Sequence, residues 1–382
     1  MCNSDDRSCN SLGSMVGKCG RSSLPDVFFL LLLLFYVGPA QCRSSHVIRF
    51  RTSQEFSPSS LVWDGYAQHF LVGSLSHPTV SSVSDAGVFE TLIHDSTLLP
   101  GASIPSISID HLRRRLLAVV RDSSSPPCLA SYDLDSRRRL FLSRLPAPSI
   151  DDDSSSESSD PSIPHVPSSV TVDLGTGAAF VTSESSCLIW KVDVKGKAWV
   201  FSDSNIHPGD GLHGVTHVGL GYLLAVQRTS GRIVKIDSDD GRARSVPVGK
   251  DMRFVGSNGV ALGSDGTAVV LGGRSSGGGK GWFLKSEDGW IRAGVYDEFV
   301  VGDGIEGIEV KGVTIRDRRI SCVLYRNGNG NDWVVEEVIS KRETSDGDWV
   351  YLLVTAGVAL TFFFIWRFQM RSLISGMNKK MV

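Results

Sequence analysis

The stretch Leu212 to Val248, "LHGVTHVGLGYLLAVQRTSGRIVKIDSDDGRARSVPV", contains a buried-strand opening, a turn and an apolar strand, then "GRIVKID", a Gly-bearing turn and a further strand. Its second half recurs in "SCLIWKVDVKGKAWVF" from Ser186 and "GKGWFLKSEDGWIRAG" from Gly279, and in "HPTVSSVSDAGVFETL" from His77 and "PCLASYDLDSRRRLFL" from Pro127. Its opening recurs in "PSSLVWD" at Pro58, "PSISID" at Pro105, "PSSVTVD" at Pro167, "HGVTHV" at His213, "NGVALGSDG" at Asn258 and "EGIEVKG" at Glu306. Six units of roughly 45 to 50 residues result, each with four short strands separated by turn residues. One such unit cannot bury both its faces, so neighbours must stack around an axis. The repeat predicts an all-β fold, a six-bladed β-propeller over residues 46–340.

Two features of the ring stay open at this stage. Either "HVIRFR", His46 to Arg51, completes the last blade beside "DWVVEEVI", or that blade is complete in itself. The acidic, serine-rich run from Ser149 to Pro164 (a 149–165 loop) interrupts the repeat between blades two and three and reads as a solvated loop.

Composition agrees with this class. Glycine is abundant at 40 residues of 382, and a formal net charge of -2 gives no support to a nucleic-acid partner.

Two apolar segments lie outside the repeat. Val27 to Val37, "VFFLLLLLFYV", follows Lys18 and Arg21 and precedes "GPAQC"; it is too short to span a bilayer. It predicts a signal peptide over residues 1–42, cleaved near Ala40 to Cys42, with an uncleaved anchor as the alternative. Trp349 to Trp366 holds 18 residues without a charge, flanked by Asp346 and Asp348 before it and by Arg367, Arg371, Lys379 and Lys380 after it. As a helix it spans ~27 Å, enough for a thin membrane such as that of the endoplasmic reticulum. The cationic flank stays in the cytosol, so residues 367–382 form a cytosolic tail and the propeller is lumenal or extracellular.

The tail ends "GMNKKMV", with lysines three and four places from the end. This resembles the dilysine retrieval signal of type I endoplasmic-reticulum proteins, which implies coatomer as the partner of Lys379 and Lys380. The alternative is that the two lysines only add charge beneath the membrane. Cys128, Cys187 and Cys322 remain after signal removal, widely spaced and without a metal-ligand pattern, and no N-x-S/T sequon occurs.

The first residue of each inner strand in a propeller faces the channel mouth. Aligning the six openings makes Ser59, Pro105, Ser168, His213, Asn258 and Glu306 equivalent, an axial ring in which three successive blades offer an imidazole, a carboxamide and a carboxylate. Such groups in a narrow channel are hydrogen-bonded, hold a metal or bind a ligand.

The openings, above all "LVWDGYAQHFLVG" from Leu61 and "SNGVALGSDGTAVV" from Ser257, resemble the senescence marker protein (regucalcin) and gluconolactonase family, with strictosidine-synthase-like and NHL-repeat propellers as relatives. The resemblance implies one divalent metal in the channel, held by a first-blade Glu, two Asn and an Asp, and hydrolysis of a lactone or ester. Asn258 matches a family Asn. Ser59 stands where the family has its Glu, Ser168 where it has an Asn, and His213 where its Asp would fall. Asn258, Glu306 and His213 are therefore the candidate ligands of a divalent cation, calcium or zinc. One carboxylate and one amide make a thin shell for calcium, which takes six to eight oxygens. A noncatalytic module that binds a lumenal protein or small molecule is the leading expectation, and a metal-dependent lactonase or esterase is its rival.

The runs Arg113 to Arg115 and Arg137 to Arg139 fall at hairpin turns of the second blade, on the face opposite the axial ring. Read alone they are solvated turns, with an anionic lipid or acidic partner as the alternative.

Overall fold

The computed structural model describes residues 46–148, 165–203, 210–275, 278–305, 308–317, 320–328 and 330–378. It divides into two units, Ser45–Thr344 and a second that includes Ser345–Val382. The first is built from 24 strands in six four-stranded antiparallel sheets.

The amino-terminal strand β1 (Val47–Arg51) precedes the first blade, which contains β2 (Pro58–Asp64), β3 (His69–Ser74), β4 (Thr79–Val83) and β5 (Phe89–His94). The second holds β6 (Ile107–Asp110), β7 (Arg115–Val120), β8 (Cys128–Asp133) and β9 (Arg139–Arg144). The third holds β10 (Pro167–Val172), β11 (Ala179–Ser183), β12 (Ile189–Val192) and β13 (Ala198–Ser202). The fourth holds β14 (Leu212–Val218), β15 (Tyr222–Gln227), β16 (Ile233–Asp237) and β17 (Ala243–Val246). The fifth holds β18 (Gly259–Leu262), β19 (Ala268–Ser275), β20 (Gly278–Lys285) and β21 (Gly294–Val301). The sixth contributes β22 (Glu309–Asp317), β23 (Ile320–Arg326) and β24 (Asp332–Val338), and β1 is its fourth strand.

Alternation along the second strands explains the stacking. In β7, Leu116, Ala118 and Val120 join a core shared with blade one, while Leu117 and Val119 join a core shared with blade three. A strand with apolar residues on both faces needs a neighbour on each side. Six such cores occur, one at every blade boundary.

Closure follows the first of the two sequence alternatives. β1 pairs antiparallel with β24, from Val47 opposite Glu336 to Arg51 opposite Asp332. Ile48 and Phe50 then bury their side chains in the core between blades six and one, beside Trp63, Phe70 and Trp333. The ring is thus held shut by strands from opposite ends of the domain.

The sixth blade begins at Glu309, three residues beyond the opening expected at Glu306, which lies outside the described residues. Register shifts at Val310/Gly312 and Ile315/Asp317 break the alternation that would have marked the strand.

The arginine runs sit at the turns expected, but the first is not solvated. Arg115 is 3% exposed and binds Asp110 at 3.0 Å, and it donates to the Gly177 and Val194 carbonyls of blade three. Arg114 reaches back to Asp64 of blade one at 2.9 Å, and Arg113 donates to the Leu174 and Gly175 carbonyls. These arginines link blade two to both neighbours. In the second run Arg139 pairs with Asp95 at 2.7 Å, and Arg137 and Arg138 are exposed.

Helix α1 (Lys341–Asn378) begins in the last residues of the first unit and continues into the second; it contains the uncharged run from Trp349, and its stretch Leu353–Arg371 is long and apolar enough to cross a membrane. The signal core, the acidic loop 149–164, and Lys379 and Lys380 lie outside the described residues.

Candidate ligand channel

The inner strands β2, β6, β10, β14, β18 and β22 enclose a central cavity of about 480 Å³. Ser59, Pro105, Ser168, His213 and Asn258 all line it, so the alignment of openings brought together five of the six axial residues. Glu306 lies outside the described residues.

Most of the polar groups near the axis are already engaged across blade boundaries. Ser59 Oγ donates to the Ile104 carbonyl at 2.6 Å, from blade one to the segment entering blade two. The Val170 amide donates to Ser106 Oγ at 3.2 Å, and Ser168 Oγ donates to the Leu212 carbonyl at 2.7 Å. The His217 amide donates to Thr171 Oγ1 at 3.0 Å, and the Trp63 amide to Thr314 Oγ1 at 3.2 Å. Asn258 Nδ2 donates to the Val310 carbonyl at 2.9 Å. Each bond satisfies a backbone group across the boundary between two blades.

The boundary between blades four and five uses close approach instead. Gly214 has φ +85°, and a Cβ there would stand 3.0 Å from the Gly259 Cα. Both the left-handed conformation and the contact require glycine.

His213 is the exception in the ring. Its Nδ1 is buried with no hydrogen-bond partner among the described residues. Burial pushes the imidazole below its ordinary pKa; Glu184 opposes the shift, and Arg228 and Arg121 add to it. The side chain is held neutral.

A second ring surrounds the mouth, and the sequence reading missed it. It is formed by residues that end or follow the second strand of a blade: Arg121 after "AVV", Glu184 after "VTS", Arg228 after "AVQ" and Arg326 ending "VLYR". Glu184 accepts from Arg228 at 3.0 Å and lies 3.6 Å from Arg121. On the opposite side, Lys311 lies 2.7 Å from Glu309, which also pairs with Arg326. Burial and the nearby Arg228 charge both push the Lys311 ammonium below its usual pKa. Four cations and two carboxylates therefore share this part of the rim. A charged residue closing the apolar second strand in four of the six blades is a periodic signal, but alignment on the first strands does not show it.

The donors do not fit the family's metal. Ser59 and Ser168 donate to neighbouring backbone, Asn258 offers only its Oδ1 because Nδ2 donates to the Val310 carbonyl, and no group of three or more His, Cys, Asp or Glu converges among the described residues. A hard cation that takes six to eight oxygens finds too few among the described residues.

No family model and no curated protein matches the sequence. Among solved structures, the chain is similar to the major allergen Mala s 1 of Malassezia sympodialis, with a TM-score of 0.57 and 14% identity over 76% of this chain and 95% of that one. It is also similar to a Bacteroides thetaiotaomicron protein of unknown function, with a TM-score of 0.54 and 10% identity over 77% and 76% of the two chains. A streptogramin B lyase matches with a TM-score of 0.50 and 13% identity over 78% of this chain and 98% of that chain. At these identities the likeness shows the propeller fold alone.

Proposed function

We propose that the chain is a single-pass type I membrane protein of the endoplasmic reticulum whose lumenal propeller binds a small polar ligand at the channel mouth. The charge asymmetry around Trp349 to Trp366, the signal-like core at Val27 to Val37, and a helix long enough to span support the topology. Lys379 and Lys380, as coatomer ligands, are the retrieval signal.

The observation that carries the binding role is the rim of Arg121, Glu184, Arg228, Glu309, Lys311 and Arg326 around a polar cavity. Ion pairs at an open mouth are partly solvated and exchange partners at modest cost, unlike the pairs buried between blades. The excess of cations suits a ligand with an anionic group placed between Arg228 and Lys311. The hydrolase reading that the gluconolactonase-like resemblance implies needs a metal at Asn258, His213 and Glu306, and the loss of the first-blade carboxylate at Ser59 argues against it.

A thermal-shift screen of the detergent-solubilised full chain against small carboxylates and phosphate esters tests the proposal. A ligand that binds only the folded state raises Tm with concentration. That rise should vanish in Arg228→Ala and Lys311→Met. A rise unaffected by both variants, or no rise with any anion, would overturn the reading.

A further inference from the structure

The face of the propeller opposite the channel mouth carries an apolar crown. The turns joining first to second strands place Tyr66, Leu112, Leu174 and Leu220 there, in blades one to four, and these side chains are 79%, 70%, 41% and 78% exposed. Val88 and Val194, also exposed, lie in turns between third and fourth strands on the same face. The turns that carry Tyr66, Leu112, Leu174 and Val194 need no large apolar residue, since Asp64, Asp110, Asp173 and Asp193 already cap them by accepting from backbone amides. Exposed large apolar residues scattered singly are ordinary, but six on one face of a ring mark a surface that meets something apolar.

The path of the chain says what that is. β24 runs from the channel-mouth end, where Trp333 pairs with Arg326, to the opposite end, where Val338 pairs with Ser321. The chain therefore leaves the domain at the face with the crown. Only the twelve residues Lys341 to Leu352 separate Ser340 from the apolar stretch that begins at Leu353. Twelve residues measure ~18 Å as helix and at most ~40 Å when extended. A bilayer crossed by that stretch is within reach of this face by chain length, and the channel mouth opens at the other face of the propeller.

We infer that the apolar crown rests in the headgroup region of the same bilayer, so that the propeller lies on the membrane with its channel mouth open to the aqueous side. Tyrosine and leucine tips suit the interface, where a ring or branched chain enters the acyl boundary while the polar turn backbone stays among headgroups. Arg137 and Arg138, exposed on the same face, reach the phosphates of those headgroups. The inference rests on the reading of the C-terminal helix as membrane-crossing.

The test uses the full chain in phosphatidylcholine vesicles with the photocrosslinker benzoylphenylalanine in place of one residue at a time: Leu220 on the crown, Val255 on the mouth side, or Phe362 in the helix. Val255 is 63% exposed and serves as the matched control. All three positions are exposed, and cooperative melting of each variant verifies the fold. The expected result is lipid adduct at positions 220 and 362, with several-fold less at 255. Adduct at 362 but equal and low adduct at 220 and 255, or protein adduct in place of lipid at 220, overturns the docking and leaves the membrane span standing. No lipid adduct at 362 overturns the span, and the docking with it.

Discussion

Arg115 shows how far a charged residue's role depends on its surroundings. With Asp110 it forms an ion pair that is almost fully removed from solvent, and its remaining donors meet two carbonyls of the next blade. Removing Arg115 leaves the buried Asp110 with only the more exposed Arg113, at 3.2 Å, as its cation, and losing one member of a buried pair costs more than the pair itself contributes. Arg115→Met should therefore destabilise the propeller by about 3 kcal/mol in chemical denaturation, the low end for breaking a buried pair because Arg113 stays on Asp110, and Asp110→Asn added to it should recover part of that loss. From sequence alone the run Arg113 to Arg115 reads as solvated charge, because its partners Asp64 and Asp110 are set by strand register and blade packing.

The axial residues carry the opposite lesson. Ser168 was legible as a channel position, yet its hydroxyl spans a blade boundary to the Leu212 carbonyl. Ser168→Ala should cost about 1 kcal/mol, the scale of one hydrogen bond. Because this donor set is structural, a chelator should leave the Tm of the full chain unchanged. A chelator-induced fall in Tm that added metal reverses would return Asn258 and His213 to the role of ligands.

Among the elements, β1 has the largest consequence for its length. It supplies five residues, and through Phe50 it packs against Phe89 with ring centroids 5.6 Å apart, closing the boundary of blades six and one. Phe50→Ala should cost about 3–5 kcal/mol, measured as a shift in denaturation midpoint, and it should broaden the transition if blade six opens first. A cost under 1 kcal/mol would mean that the ring does not depend on this clasp. The period-2 openings made five blade starts readable, since apolar alternation and turn residues are local signals. The pairing of β1 with β24 was not decidable, because the partners lie some 285 residues apart and nothing local selects between them. β22 was displaced for a related reason: two bulges change which residues face the axis, so Glu309 and Lys311 reach the mouth from a strand expected to begin at Glu306. The charged rim went unread because it follows the second strands, outside the alignment that revealed the first ring.

For the whole molecule, pH matters through four histidines. Burial pushes His69, His111, His213 and His217 below the ordinary imidazole pKa of 6.5. The unfolded chain then binds more protons than the native state between the lowered values and 6.5, so stability is intact above that pH and is lost as pH falls below it. Tm should decline from pH 7 toward pH 5, and replacing the four residues with Gln should flatten that decline. An unchanged Tm across this range would show that the imidazoles are solvated. A propeller of this kind is suited to a near-neutral compartment, as the proposed retention in the endoplasmic reticulum requires.

The most direct test of the topology and retrieval uses the absence of any N-x-S/T sequon in the 382 residues. Asn329→Thr creates one at Asn327, an exposed residue beside the channel-mouth end of β23. A lumenal propeller that is retrieved should gain a single N-glycan that endoglycosidase H removes, and Lys379→Ser with Lys380→Ser should make that glycan resistant as the protein moves on to the Golgi. An unglycosylated Asn327 in a folded chain would contradict the lumenal placement, and a glycan that is resistant with both lysines in place would contradict retrieval.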